Sequence, residues 1–295
     1  MTGNTPPIPH RIPGLDPGSV SERNANQIPD QVRGGGKRVT HLVLPILALA
    51  LMAARVPDHE RYDACVAQVR QNPAAAFSTG LDWLDQGGGV AAQHCAGLAL
   101  SAMDKHEAAG DMLLEAANAA ADGKGVQLLG MEITPKLRAQ LYAQAGHSYL
   151  LAERYAPAID AFTQALGHSP GAGTSPEAAD LMTDRARAHA FSGNLEAAFT
   201  DLTVAIGILP DDADIRLLRA SAARQTERLE TAHQDVNKLL ELRPDLPAAW
   251  LEKAQLAMTE DDVALARQSL MRAIELDDGG PVAEAARYML EGLSL

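Results

Sequence analysis

Residues 141–170 read LYAQAGHSYLLAERYAPAIDAFTQALGHSP, and this stretch decides the fold. Tyr142, Gly146 and Tyr149 fall on one face of a helix, and Ala158, Phe162 and Ala165 on one face of a second. Pro170 follows the second run. The same pattern returns downstream. Pro210 and Pro244 stand 34 residues apart, with Ala198 and Ala232 twelve before them and Leu202 and Val236 eight before. Counting back from Pro170 puts Ala158 and Phe162 in those two places. A fourth copy runs through Trp250, Ala254, Ala266, Leu270 and Ala273, with Asp278 where the proline would fall. A period of this length marks a repeat array of helix pairs.

Composition agrees. The chain is 46% hydrophobic but only 4% aromatic, and Ala and Leu favour helix where aromatic residues favour strand. Small residues such as Gly146, Ala158, Ala186 and Ala198 let paired helices approach closely, while Tyr149, Phe162 and Leu202 fill the space between pairs. Each proline ends a second helix by fixing φ and removing a donor.

Nearly every signature place of a tetratricopeptide repeat is filled in 141–170, and the stretch resembles that family in its bacterial exported type. Further copies carry Met182, Ala186, Ala198, Leu202, Ala205 and Pro210, then Ala220, Ala232, Val236, Leu239 and Pro244. A degenerate one precedes them with Gly97, Leu100, Ala109, Leu113 and Ala116. The resemblance spans about 90–280 and implies an all-α fold, a right-handed superhelical solenoid of antiparallel helix pairs. Two irregularities stand out. Pro170 to Pro210 is 40 residues, with the surplus near 171–176, and residues 120–135 hold Gly123, Gly125, Gly130 and Pro135, an interruption suited to a hinge or contact loop.

The expected organisation is a disordered segment 1–38, a signal peptide or anchor 39–54, a front helical portion 59–123, the regular array 136–280 and a capping helix 281–295. Residues 1–36 are rich in Pro, Gly, Asn and Ser. Lys37-Arg38 then precede the 13-residue run LVLPILALALMAA, 42–54. A basic flank, an apolar run and a small-residue exit have the order of a secretory signal, with cleavage placed near Ala54. As a helix the run rises about 20 Å, short of a hydrocarbon core of about 30 Å. Export to the periplasm with cleavage is the leading expectation. An uncleaved inner-membrane anchor and a buried cytosolic helix stay open, and the membrane enters only through this segment.

The two cysteines, Cys65 and Cys95, lie on the first and third helices of the front portion, which a stacked array makes parallel neighbours. A disulfide between them suits an exported chain; two buried free thiols are the other reading.

The charge excludes one class of partner. Of 25 basic and 38 acidic residues, residues 1–54 hold five and three, so the rest holds 20 and 35, a net of −15. Such a body repels nucleic acid. No metalloprotease spacing, nucleophile elbow or phosphate loop appears among the nine histidines and 24 glycines. His94 beside Cys95 lacks a second ligand pair, and Gly87-Gly88-Gly89 reads as a helix break. No enzyme, cofactor or metal site is expected.

The family's groove is lined by the first helix of each pair. The resemblance places Gln140, Ala143, His147, Leu150, Asp180, Thr183, Arg187, Ala190, Asp214, Leu217, Ser221 and Arg224 there. Some members grip a C-terminal carboxylate through a Lys/Asn/Arg set, but Ala143, Asp184 and Leu218 occupy three of those places. Arg187 and Arg224 are nevertheless candidates for pairing with an acidic ligand. The implied function is a scaffold that binds a peptide or protein in its groove. The alternative is a structural subunit of a cell-envelope assembly, with the repeats as spacer.

Overall fold

The chain divides into Met1–Ala54 and Arg55–Leu295. The computed structural model describes residues 57–121, 127–128, 131–171 and 174–293, so the expected signal segment lies outside the described residues. The order is α1 (Asp58–Gln71), α2 (Pro73–Asp85), α3 (Gly89–Ala102), α4 (His106–Ala121), β1 (Gln127–Leu128), β2 (Met131–Glu132), α5 (Pro135–Leu151), α6 (Tyr155–His168), α7 (Pro176–Phe191), α8 (Leu195–Ile208), α9 (Ala213–Gln225), α10 (Leu229–Leu242), α11 (Pro247–Thr259), α12 (Val263–Leu276) and α13 (Pro281–Gly292). This is an all-α solenoid in which each helix packs chiefly on its sequence neighbours.

Helix packing begins ahead of residue 90, with α1 on α2 and on α3. One feature departs from the sequence reading: the 120–135 interruption contains a short antiparallel pair of strands, Gln127 opposite Glu132 and Leu128 opposite Met131.

The turns inside the pairs share one device. Lys105, Arg154, Asn194, Arg228 and Asp262 each donate a backbone N–H to the carbonyl five residues back, on Leu100, Tyr149, His189, Ala223 and Ala257. The residue before each donor is left-handed: Asp104 (φ 57°), Glu153 (57°), Gly193 (85°), Glu227 (59°) and Asp261 (59°). Each helix thus ends in a motif that satisfies its last carbonyls. Starts are capped as well: side chains of Asn72, Thr134, Ser175, Asn194, Asp212 and Asp262 accept from the N–H three residues on.

Close approach of paired helices depends on missing side chains. A Cβ on Gly97 would sit 2.6 Å from Leu113 and one on Gly146 2.8 Å from the Phe162 ring. The apolar core runs from Trp83 through Leu113, Tyr142, Tyr149 and Phe162, then continues through Leu202, Val236, Leu256 and Leu270.

Charged residues hold two of the pairs. Arg185 on α7 grips Asp201 on α8 through two bonds of 2.8 and 2.7 Å. Thirty-four residues on, Arg219 on α9 grips Asp235 on α10 through two bonds of 2.7 Å. Asp235 also accepts from Arg216 at 3.0 Å.

In the front portion Cys65 on α1 and Cys95 on α3 form a disulfide, Cα to Cα 6.2 Å, with both side chains buried. Beside it, His94 bridges Tyr62 (2.7 Å, Nδ1) and Gln144 (2.6 Å, Nε2). The Gln144 carbonyl oxygen can only accept, so Nε2 carries the proton and Nδ1 accepts from the Tyr62 hydroxyl. Burial pushes the His94 pKa down, partly offset by the Gln144 bond. Below the ordinary histidine value of about 6.5 the unfolded chain therefore takes up a proton that folded His94 refuses, and stability falls with falling pH. The melting temperature is expected to drop between pH 7.5 and 5.5, and to drop less in His94→Gln. Equal drops in the two proteins would show that His94 does not contribute.

Candidate functional site

Along the array the first helices lie side by side, with α5 against α7 and α9 against α11. Between α5 and α7 they leave a cavity of about 360 Å³. Ala139, Ala143 and Leu181 make its apolar floor, Ser169 and Pro170 also line it, and Lys136, Gln140, His147, Glu177, Asp180 and Asp184 carry its polar groups. A smaller hollow of about 70 Å³ follows, formed by α7, α8 and α9 and lined by Arg187, Ala190, Leu218, Ser221 and Gln225 among others.

Asp184 stands between the two hollows. One carboxylate oxygen accepts from His147 Nε2 at 2.6 Å and the other from Arg187 at 2.6 Å. Asp180, one turn earlier on α7, makes no hydrogen bond or ion pair among the described residues. Burial first, then the carboxylates of Asp184, Asp212 and Glu177, push its pKa up, with Arg187 opposing them. Glu177 behaves oppositely. Its own backbone N–H and the Ser175 hydroxyl lower its pKa, and Lys136 adds to that.

The structure sorts the sequence-predicted residues. Gln140, His147 and Asp180 meet in the larger cavity. Arg187 and Ser221 line the smaller one. Asp214 is exposed but lines neither cavity. Thr183 requires a correction: it is 5% exposed and its hydroxyl donates to the Ala179 carbonyl. With about 100° per residue, position 183 is turned some 60° from the face that 180, 184 and 187 share, which carries it into the core. Arg187 and Arg224 also differ from the expectation of two cations awaiting an acidic ligand. Arg187 is held by Asp184, and Arg224 binds Glu252 and Gln255 on α11, both at 2.7 Å. Lys136, Glu177 and the bridging role of Asp184 are additions to the residues expected from the sequence. The i, i+4, i+7 spacing of Asp180, Asp184 and Arg187 was the available signal.

Comparisons with known proteins bear on the scaffold that presents this groove. A tetratricopeptide repeat family model matches residues 247–279. The fold is a tetratricopeptide repeat fold. The matched segment is α11 and α12, the copy whose terminal proline is replaced. Among solved structures the chain is similar to PilF of Pseudomonas aeruginosa, at 13% identity over 79% of this chain and 99% of that one, TM-score 0.54. It is similar to YrrB, a tetratricopeptide repeat protein with an unusual peptide-binding site, at 18% identity over 72% and 98%, TM-score 0.52. It also resembles MamA of Desulfovibrio magneticus RS-1 from residue 41 onward, at 13% identity over 65% and 98%, TM-score 0.51. No curated protein matches the chain. Among the described residues no helix is long and apolar enough to cross a membrane, and no group of three or more His, Cys, Asp or Glu could hold a metal ion.

Proposed function

We propose that this chain is an exported interaction scaffold that holds an extended segment of a protein partner along α5, α7 and α9, without catalysis or a cofactor. The carrying observation is the 360 Å³ cavity between first helices, joined to the next hollow through Asp184 and Arg187. A concave site with an apolar floor and a few convergent polar groups is the usual form of a binding pocket. The peptide-binding site of YrrB, on the same fold, supports a peptide as the class of ligand. The net charge of −15 beyond residue 54 disfavours nucleic acid.

Export rests on Lys37-Arg38 with the apolar run after them, and gains support from the Cys65–Cys95 bond, since disulfides persist in oxidising compartments such as the periplasm. If the run is not cleaved, it is the point of attachment to the inner membrane.

Two experiments test these parts. Peptides selected from a random library on the full chain are expected to lose affinity about tenfold or more on Gln140→Trp, which fills the cavity from an exposed position. Undiminished binding would reject the groove. Alkaline phosphatase fused to the C-terminus is expected to be active in a bacterial host, and an inactive fusion would reject export.

A further inference from the structure

The α5–α7 cavity is lined by three carboxylates, Glu177, Asp180 and Asp184, and by Lys136 and His147. Asp184 is bonded to His147 and to Arg187 of the next hollow, and Lys136 acts on Glu177. The third carboxylate, Asp180, is left without a counter-ion in bonding contact among the described residues, over a floor of Ala139, Ala143 and Leu181. Resting on the peptide-groove reading above, we propose that this cavity takes a lysine or arginine side chain of the partner's segment, its aliphatic stem on that floor and its cationic head against Asp180. A long basic side chain matches both halves of the cavity, because its methylenes cover apolar surface while its charge stays at the rim. An acidic side chain would meet Asp180 and Glu177 with like charge, and the groove's arginines are already engaged. An apolar one would strip water from the exposed Asp180 carboxylate without supplying a counter-charge, which costs free energy. Partial burial and then the carboxylates of Asp184, Asp212 and Glu177 disfavour charge on Asp180, and an arriving cation offsets the repulsion from those three.

The test is selection from a random 12-residue phage library on the full chain and on Asp180→Asn. That substitution removes charge but no bond, so the fold should be kept, as circular dichroism would verify. Wild-type selection is expected to enrich one basic position. Synthetic versions of the winners should bind Asp180→Asn about tenfold more weakly, and should weaken with rising salt. Winners sensitive to Gln140→Trp but without a basic residue, or equally bound by Asp180→Asn, would overturn the charge assignment and leave the groove standing. Winners indifferent to Gln140→Trp would overturn both.

Discussion

Replacing Asp235 with alanine is expected to destabilise the array by about 3–5 kcal/mol, the cost of breaking a buried ion pair from one side. Asp235 is 0% exposed and accepts three bonds from two guanidinium groups. Removing it leaves Arg216 and Arg219 with side chains only 11% and 17% exposed. Arg216 keeps its bond to the Pro210 carbonyl, but its Nε already lacks a partner among the described residues. The equivalent Asp201→Ala is expected to cost less, because Asp201 is 8% exposed and holds only Arg185. Urea unfolding followed by circular dichroism measures both. Equal, small losses for the two variants would contradict the assignment. The next register shows that the clamp is optional: Ser269 and Lys253 stand where Asp235 and Arg219 would be, and Lys253 lies over the Trp250 ring instead.

Loss of the disulfide has the second large expected effect. The Cys65–Cys95 loop, with a sequence separation of 30, contributes about 3–4 kcal/mol in the chain-entropy model. Because α1 packs chiefly on α2 and α3, and stability in a repeat array is a sum of neighbour terms, the loss should be local. The double variant Cys65→Ala with Cys95→Ala is expected to show early exchange of amide hydrogens in α1 and α2, while α9 to α12 keep their protection. Unchanged exchange in α1 would show that packing alone holds the front portion. Alkylation under denaturing, non-reducing conditions should find no free thiol in exported protein.

The fold was legible because its signal is redundant. Proline, alanine and a large apolar residue recur together at 34-residue spacing, and small residues such as Gly146 mark where a ring must fit. The α1–α2 pair was not recognised as a repeat because only Ala76, Gly80 and Trp83 of α2 reach the core, too few to show the period. The Arg185–Asp201 and Arg219–Asp235 clamps were written in the sequence at the same spacing. They were passed over because charged residues on helices are usually solvated; burial, which no single residue type reveals, makes the two aspartates exceptional. The groove residues were legible as positions but not as chemistry. Gln140, His147 and Asp180 do converge, whereas Arg187 is taken by Asp184 one turn back on its own helix and Arg224 by Glu252, a partner set by packing between neighbouring pairs.

The most direct measurement is site-specific photocrosslinking in living cells, with a benzophenone side chain placed at exposed Gln140 in the groove and, separately, at exposed Gln164 on α6. A discrete protein adduct from position 140 and none from position 164 is the expected result. The same adduct from position 164, or none from position 140 while position 164 captures a partner, would contradict the assignment of binding to the first-helix groove.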